Sequence, residues 1–306
     1  VIVVPPSLDL RQRQRVVRKE RPDVILMHQT RHPLNQPALF APTPVVLDAD
    51  DADCLDPKHT DRITRCARDA ACITGGSRFV ARWLGQHNPK SRVIWTCSPP
   101  SRNTGSQLPK DRSPIIVWAH GDPFGYPREA ELVQEMMVRV GERVRFTFWI
   151  FGTQPDTAEE YLRPIRRTMA SCVATPRLPY PACLDRVAEA AVGIQPVCIE
   201  HEFSQGKSFG KILTYLSGKV AVVAANEVDH PLFFRHGQSG FLARTMDDWV
   251  ESLERLIRDP ELRQRIANEA YADFCTRLTT PAAARLYDAA LRASIVGAEA
   301  PIPDPA

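Results

Sequence analysis

Residues 193–242 read GIQPVCIEHEFSQGKSFGKILTYLSGKVAVVAANEVDHPLFFRHGQSGFL, and their pattern decides the fold. The apolar run over 190–199 has the length and flanks of a buried strand. A loop follows with Glu200, His201 and Glu202 and the turn Ser204-Gln205-Gly206. Phe209, Ile212, Leu213 and Leu216 then recur at helical spacing, and Gly218 stands where a helix-ending glycine belongs. Residues 220–225 are a second apolar strand. Strand, crossover helix and strand make a βαβ unit, and continuous apolar runs predict parallel strands covered on both faces.

The chemistry of this stretch lies at the strand-to-helix junction. Gly206 and Ser208 permit a tight loop, and the N–H groups at a helix start favour an anion. Lys207 and Lys211 are four apart, which places them on one face of the first turns. Cations there oppose the helix dipole by about 0.3–1 kcal/mol each. Ordinary solvated lysines are one reading; a diphosphate site, which would account for the unfavourable placement, is the other.

GKSFGKILTYLSGKVAVVAANEVDHPLFFRHGQSGFL resembles the donor-binding segment of retaining glycosyltransferases of family 4, which have the GT-B fold. Members read roughly G-K-x-x-x-K-x-L-E-Y-M-A-x-G-x-P-V-V-A, then G-x-x-G-F-L. Gly206, Lys207, Lys211, Leu213, Tyr215, Gly218, Val222, Val223, Gly237, Gly240 and Phe241 fall in register. Many members carry E-x7-E, whose second Glu grips the donor ribose. Here Gly206 and Thr214 hold those two places, and Ala221 replaces the family's proline. Glu200 and Glu202 are candidate substitutes for the missing acid, against a reading as two exposed loop acids.

The resemblance implies an α/β chain of GT-B type, with two Rossmann-like domains whose parallel sheets face a cleft. The N-terminal domain would span 1–108, the donor domain 113–280, and a crossover helix at 281–296 would return to the first. Family members open with a strand, a glycine-rich loop and a helix. Nothing here matches that loop, and Val1-Ile-Val-Val-Pro-Pro begins abruptly as a strand. The N-terminal domain is therefore expected to be abbreviated, the chain starting late relative to the family.

Within the first half, DLRQRQRVVRKE (9–20) predicts a basic helix, either a solvated face or a contact for anionic lipid or an acidic partner protein. Residues 22–28 read as a buried strand. Ligands of open α/β sheets collect beyond strand C-termini, so His28, Arg31 and His32 are candidate site residues. A neutral His28 could act as general base or hydrogen-bond a sugar hydroxyl. The strand over 44–48 ends in Asp48, Asp50, Asp51 and Asp53. It resembles the D-x-D-D of a family subset, and acceptor binding or structural capping is favoured over a metal. Ser77 is expected to cap a helix over 78–84 that brings Arg78 toward the site, and 99–113 reads as a linker. In the second half, a strand over 114–119 leads into His120-Gly121-Asp122, where the resemblance puts Gly121 near the donor phosphates. His236-Gly237-Gln-Ser-Gly240 reads as a hairpin-like turn, Asp247 as a helix cap, and 297–306 as a disordered tail.

A length of 306 residues suits two domains, and a formal net charge of +3 gives no argument for nucleic acid. The eight cysteines lie at irregular spacings without C-x-x-C, so zinc is not expected and buried thiols in a reducing compartment are. No run approaches a membrane span, and no signal peptide is visible. The expectation is thus a cytoplasmic enzyme, with the inner membrane surface as an alternative place of action through the basic helix. By the resemblance it moves a sugar from a nucleotide-diphosphate donor to a glycan, lipid-linked or small-molecule acceptor with retention, needing no cofactor. His28, Asp48 and Asp50 are the candidate catalytic groups; Gly121, Lys207, Lys211, Glu200, Glu202 and Thr214 are the candidate donor-binding ones. The main alternative is a non-catalytic GT-B-like subunit or nucleotide-sugar sensor; an epimerase of the same fold is a third.

Overall fold

The computed structural model describes residues 1–102 and 114–296. The chain forms two compact units: Val1–Thr96 with Glu200–Ser208 and Pro281–Ala306, and Cys97–Ile199 with Phe209–Thr280. The linker expected over 99–113 lies, from residue 103, outside the described residues, as does the expected tail over 297–306.

In the first unit, residues 1–4 are exposed and irregular rather than a strand, because Pro5 leads straight into a turn. Helix α1 (Leu10–Glu20) starts at an Asp9–Gln12 capping box and ends at Arg21, which takes the left-handed conformation. Its basic face is not all solvated. Arg13 is buried, and its guanidinium donates to the carbonyls of Leu8 and Pro6 and to Asn35 Oδ1. Then follow β1 (Ile25–His28), β2 (Val45–Ala49), α2 (Pro57–Asp69), β3 (Cys72–Gly75), α3 (Arg78–Gly85) and β4 (Ser91–Val93). The strands form one parallel sheet in the order β1-β2-β3-β4. The order makes β1 an edge, so the expectation of a fully buried strand fails there: Leu26 is 46% exposed, whereas all of β2 is buried. Register sets His28 and Thr74 on either side of Asp48. Ser77 caps α3 through Val80 N–H as expected.

The second unit runs β5 (Ile115–Trp118), α4 (Pro127–Gly141), β6 (Phe146–Phe151), α5 (Pro155–Arg166), β7 (Ala170–Thr175), α6 (Tyr180–Val187), β8 (Val192–Gln195), α7 (Gly210–Ser217), β9 (Ala221–Ala225), α8 (His230–Phe233), β10 (Phe241–Ala243), α9 (Met246–Arg258) and α10 (Pro260–Arg277). Its parallel sheet has the order β10-β9-β8-β5-β6-β7. The winding reverses between β5 and β8, and in such sheets ligands bind beyond the carboxyl ends of the strands at that switch. The central strands are covered on both faces: β8 and β9 have no exposed residue.

One local reading is corrected: Thr245, not Asp247, caps α9, in a capping box with Asp248. Residues 236–240 make the expected turn, bridged between His236 and Gly240, and Phe241–Ala243 follows as a strand parallel to β9. Gly218 is the C-cap of α7 as expected, at φ −88°, and Lys219 takes the left-handed conformation at φ 58°. Glycine is needed at 218 because a Cβ would stand 2.8 Å from the Ala188 methyl at the end of α6. The last helix, α11 (Thr280–Val296), packs Ala290 against Val46 and Cys72 of the first unit's sheet. None of the eight cysteines is in a disulfide; Cys54, Cys66 and Cys72 are buried, Cys198 only partly, and burial pushes the Cys54 and Cys66 thiols up to about 11.

Candidate active site

In the second unit, the switch point carries a cavity of about 320 Å³ lined by Ala119, His120, Gly121, Phe151, Gly152, Arg177, Leu178, Tyr180, Cys183, Gly210, Lys211 and Thr214. Three glycines shape it. A Cβ at Gly121 or Gly210 would meet open space, so bare backbone faces the cavity there. Gly152, at φ 88°, packs so closely on the His120 carbonyl that no side chain fits. His120 Nδ1 accepts the Asp122 N–H at 3.0 Å, which fixes that loop and leaves Nε2 as the ring's remaining nitrogen.

The cavity holds two cations. Lys211 is the second residue of α7, whose first turn has no side-chain cap. Arg177 follows the C-terminal end of β7. Two cations beside first-turn N–H groups suit an anion. Behind them, the fully buried Tyr215 ties the floor together. Its hydroxyl accepts from Ala119 N–H and donates to the Ile194 carbonyl, both at 2.9 Å. Burial pushes that hydroxyl well above the usual tyrosine range.

Of the expected donor residues, Gly121, Lys211 and Thr214 therefore line one cavity. Thr214 turns its hydroxyl back to the Lys211 carbonyl at 2.6 Å, so it has no acid's reach toward a ligand. Lys207 is not on the helix: residues Glu202–Gly206 form a separate 3-10 turn, Lys207 is extended (φ −61°, ψ 140°), and α7 begins at Gly210. The shared helix face expected for Lys207 and Lys211 is thus absent. Glu200 and Glu202 are exposed on the same segment, which packs with the first unit through Phe203 and Gly206, and they do not line the cavity. A Cβ on Gly206 would collide with the Ala52 methyl, so this backbone has no room for the family's first Glu.

In the first unit, the acids beyond β2 are drawn into a network. Asp48 Oδ1 accepts from the Thr74 hydroxyl at 2.7 Å and the Tyr287 hydroxyl at 2.8 Å, and Oδ2 pairs with His28 Nδ1 at 2.8 Å. The hydrogen bond to Asp48, opposed by partial burial and helped by the charges of Asp48, Asp50 and Asp51, raises His28 above its ordinary 6.5. Asp50 accepts from the Thr96 hydroxyl, and burial raises its carboxyl. Arg31 bridges Asp53, at 2.7 and 2.8 Å, and Asp51, at 2.5 Å. Of the expected catalytic residues, His28 thus pairs directly with Asp48, while Asp50 is bound to Thr96. His32 is set apart from it by its role in its own loop, accepting Leu34 N–H. Arg78 lines a separate, shallow groove with Arg82 and Ser91. Arg177 and Tyr287 escaped the sequence reading: a lone Arg after a strand has no periodic signal, and Tyr287 is 239 residues from its partner. Among the described residues, no group of three or more His, Cys, Asp or Glu side chains is placed to hold a metal, and no helix is long and apolar enough to cross a membrane.

A family model described as glycosyl transferase-like matches residues 128–286. No curated protein matches the sequence. Among solved structures, sucrose-phosphate synthase from Thermosynechococcus elongatus superposes with a TM-score of 0.68 at 12% identity, over 94% of this chain and 78% of that one. Anabaena HepE, in complex with UDP and glucose, gives 0.65 at 15% identity, over 91% and 80%. TarM gives 0.61 at 13% identity over 92% of this chain, which spans 58% of TarM. At such identities the likeness establishes the fold: α/β, with parallel sheets, matching GT-B glycosyltransferases.

Proposed function

The chain belongs to the glycosyl transferase-like family, and from that premise we propose that it moves a sugar from a nucleoside diphosphate to an acceptor hydroxyl. The observation that carries the reading is the switch-point cavity with Lys211 and Arg177 beside the uncapped start of α7. Phosphate oxygens bind these groups, and the bare backbone at Gly121 and Gly210 leaves room for close approach of the nucleoside. Positive charge at the diphosphate stabilises the leaving group as the glycosidic bond breaks, the electrostatic contribution that is usually largest in catalysis. No separate cofactor is invoked, since the nucleoside diphosphate sugar is the substrate.

The acceptor is served by His28. With Nδ1 on Asp48, its Nε2 lone pair takes the hydrogen bond of the acceptor hydroxyl. As the bond from the anomeric carbon to phosphate oxygen breaks, a bond to the acceptor oxygen forms. In the retaining course implied by the family resemblance, both events occur on one face and a phosphate oxygen takes the hydroxyl proton. The His28–Asp48 pair favours a second course, direct displacement with inversion, in which His28 takes that proton. The product's anomeric proton coupling in NMR separates the two.

The absence of an acid at 206 and 214 supports the rival reading of a non-catalytic subunit. Calorimetric titration with UDP, GDP and their sugar conjugates decides between them, with UDP first because HepE is seen with it. Binding that Lys211→Ala with Arg177→Ala weakens at least about tenfold supports the donor site, as each charge-assisted contact contributes roughly 1.5–3 kcal/mol, and binding without turnover of any acceptor marks a sensor. No binding by a folded chain leaves the structural role.

A further inference from the structure

Asp48 is the hub of the first unit's polar network, with the side chains of Thr74, Tyr287 and His28 on its carboxylate. Thr74 is fully buried, and its hydroxyl is held on Asp48 Oδ1. Tyr287 reaches the same oxygen from α11, far along the chain. The opposite oxygen, Oδ2, is left for His28 Nδ1, while the His28 side chain is 64% exposed. A carboxylate with one oxygen held by two hydroxyls cannot rotate without breaking both bonds. Its second oxygen is thereby fixed in position, and so is the imidazole that donates to it.

We propose that Tyr287 is a positioning residue for His28: by clamping the Asp48 carboxylate it holds the imidazole as the Nδ1–H tautomer, with the Nε2 lone pair turned to solvent. The same logic, a base oriented through its far nitrogen by a buried carboxylate, underlies nucleophile-activating triads, where loss of the correct tautomer removes most of the rate. Here the carboxylate is itself oriented, by a hydroxyl from the last helix. The charged groups that face His28 are Asp48, Asp50 and Asp51, all from the end of β2 and the loop beyond it; Arg31 is engaged by Asp51 and Asp53. Tyr287 ties α11 to this network through its hydroxyl.

The use of His28 as acceptor-side base rests on the proposed function; its tautomer does not, and the experiment separates them. Long-range proton–nitrogen NMR of the ligand-free chain reads the protonated nitrogen and the titration midpoint of His28. In the native protein the neutral ring carries its proton on Nδ1, and the midpoint lies above 6.5. Tyr287→Phe keeps the ring and removes only the hydroxyl. It is expected to mix the two tautomers and to lower the midpoint toward the ordinary value, because the bond to Asp48 is what raises it. Thr74→Ser preserves the native signals and Thr74→Val loosens them, which covers the case in which Tyr287→Phe fails to fold. An unchanged tautomer with an unchanged or higher midpoint in both Tyr287→Phe and Thr74→Val overturns the proposal. Once an acceptor is known, Tyr287→Phe lowers kcat roughly tenfold or more, out of the 10²–10⁴ a positioned base supplies, with KM little changed. A loosened imidazole with native turnover sustains the positioning and removes His28 as the base.

Discussion

Tyr215→Phe isolates one hydroxyl at the floor of the switch-point cavity. The ring itself fits a slot that exists because residue 193 is glycine: a Cβ there would lie 2.5 and 2.6 Å from the Tyr215 Cδ1 and Cδ2 atoms. Phenylalanine keeps that ring, so no cavity opens beyond the lost oxygen. What changes is the pairing of two buried backbone groups, Ala119 N–H and the Ile194 carbonyl, each 2.9 Å from the hydroxyl. An orphaned buried donor costs about 1–3 kcal/mol, and a lost acceptor bond about 0.5–1.5 kcal/mol. The second unit should therefore be destabilised by roughly 2–4 kcal/mol. Urea denaturation of native and variant chains measures this as a lower midpoint at constant slope. Because Ala119 also lines the cavity, UDP affinity should fall in parallel. A loss below about 0.5 kcal/mol, the scatter expected of inconsequential substitutions, would refute the assignment of the hydroxyl as the tie between β5 and β8.

Two further outcomes follow from the same geometry. Gly152→Ala forces a left-handed alanine onto the His120 carbonyl; strain of about 1–3 kcal/mol should displace the His120–Gly121 loop and weaken nucleotide binding at least about tenfold, read by calorimetry. Burial raises the Asp50 carboxyl, so its ionised form destabilises the folded state above its folded pKa, and the cost vanishes below the unfolded value of 3.8. Asp50→Asn, which keeps an acceptor for Thr96, should raise the denaturation midpoint at pH 7 and leave it unchanged at pH 3.

The βαβ unit was readable because 190–199 and 220–225 are continuous apolar runs around a helix-spaced set, and the strands they encode are buried as that pattern requires. The start of α7 was not. Gly206-Lys207-Ser208 continues the helical spacing on paper, but Phe203 anchors residues 202–206 in the first unit's core, and the helix can begin only after that turn. The cluster of Asp48, Asp50, Asp51 and Asp53 was visible as a group of acids. Which partner each acid takes depends on sheet register and on a helix over 200 residues away, and neither is written locally. Leu26 shows the same limit: its run reads as buried, and strand order alone exposes it.

The division of the chain has a consequence for modularity. The polypeptide passes from one unit to the other at residues 96, 199, 208 and 280, so neither unit is a continuous piece of sequence. A recombination that exchanged 97–280 as a block would carry off Glu200–Ser208 and with it Phe203 from the other unit's core, while a single crossover at 96 would part Asp48 from Tyr287. Genes of this design can diversify their cavity by point substitution at positions such as Arg177 and Thr214, but trading whole halves demands several simultaneous crossovers. The cavity of one unit and the polar network of the other are thereby inherited as a linked pair.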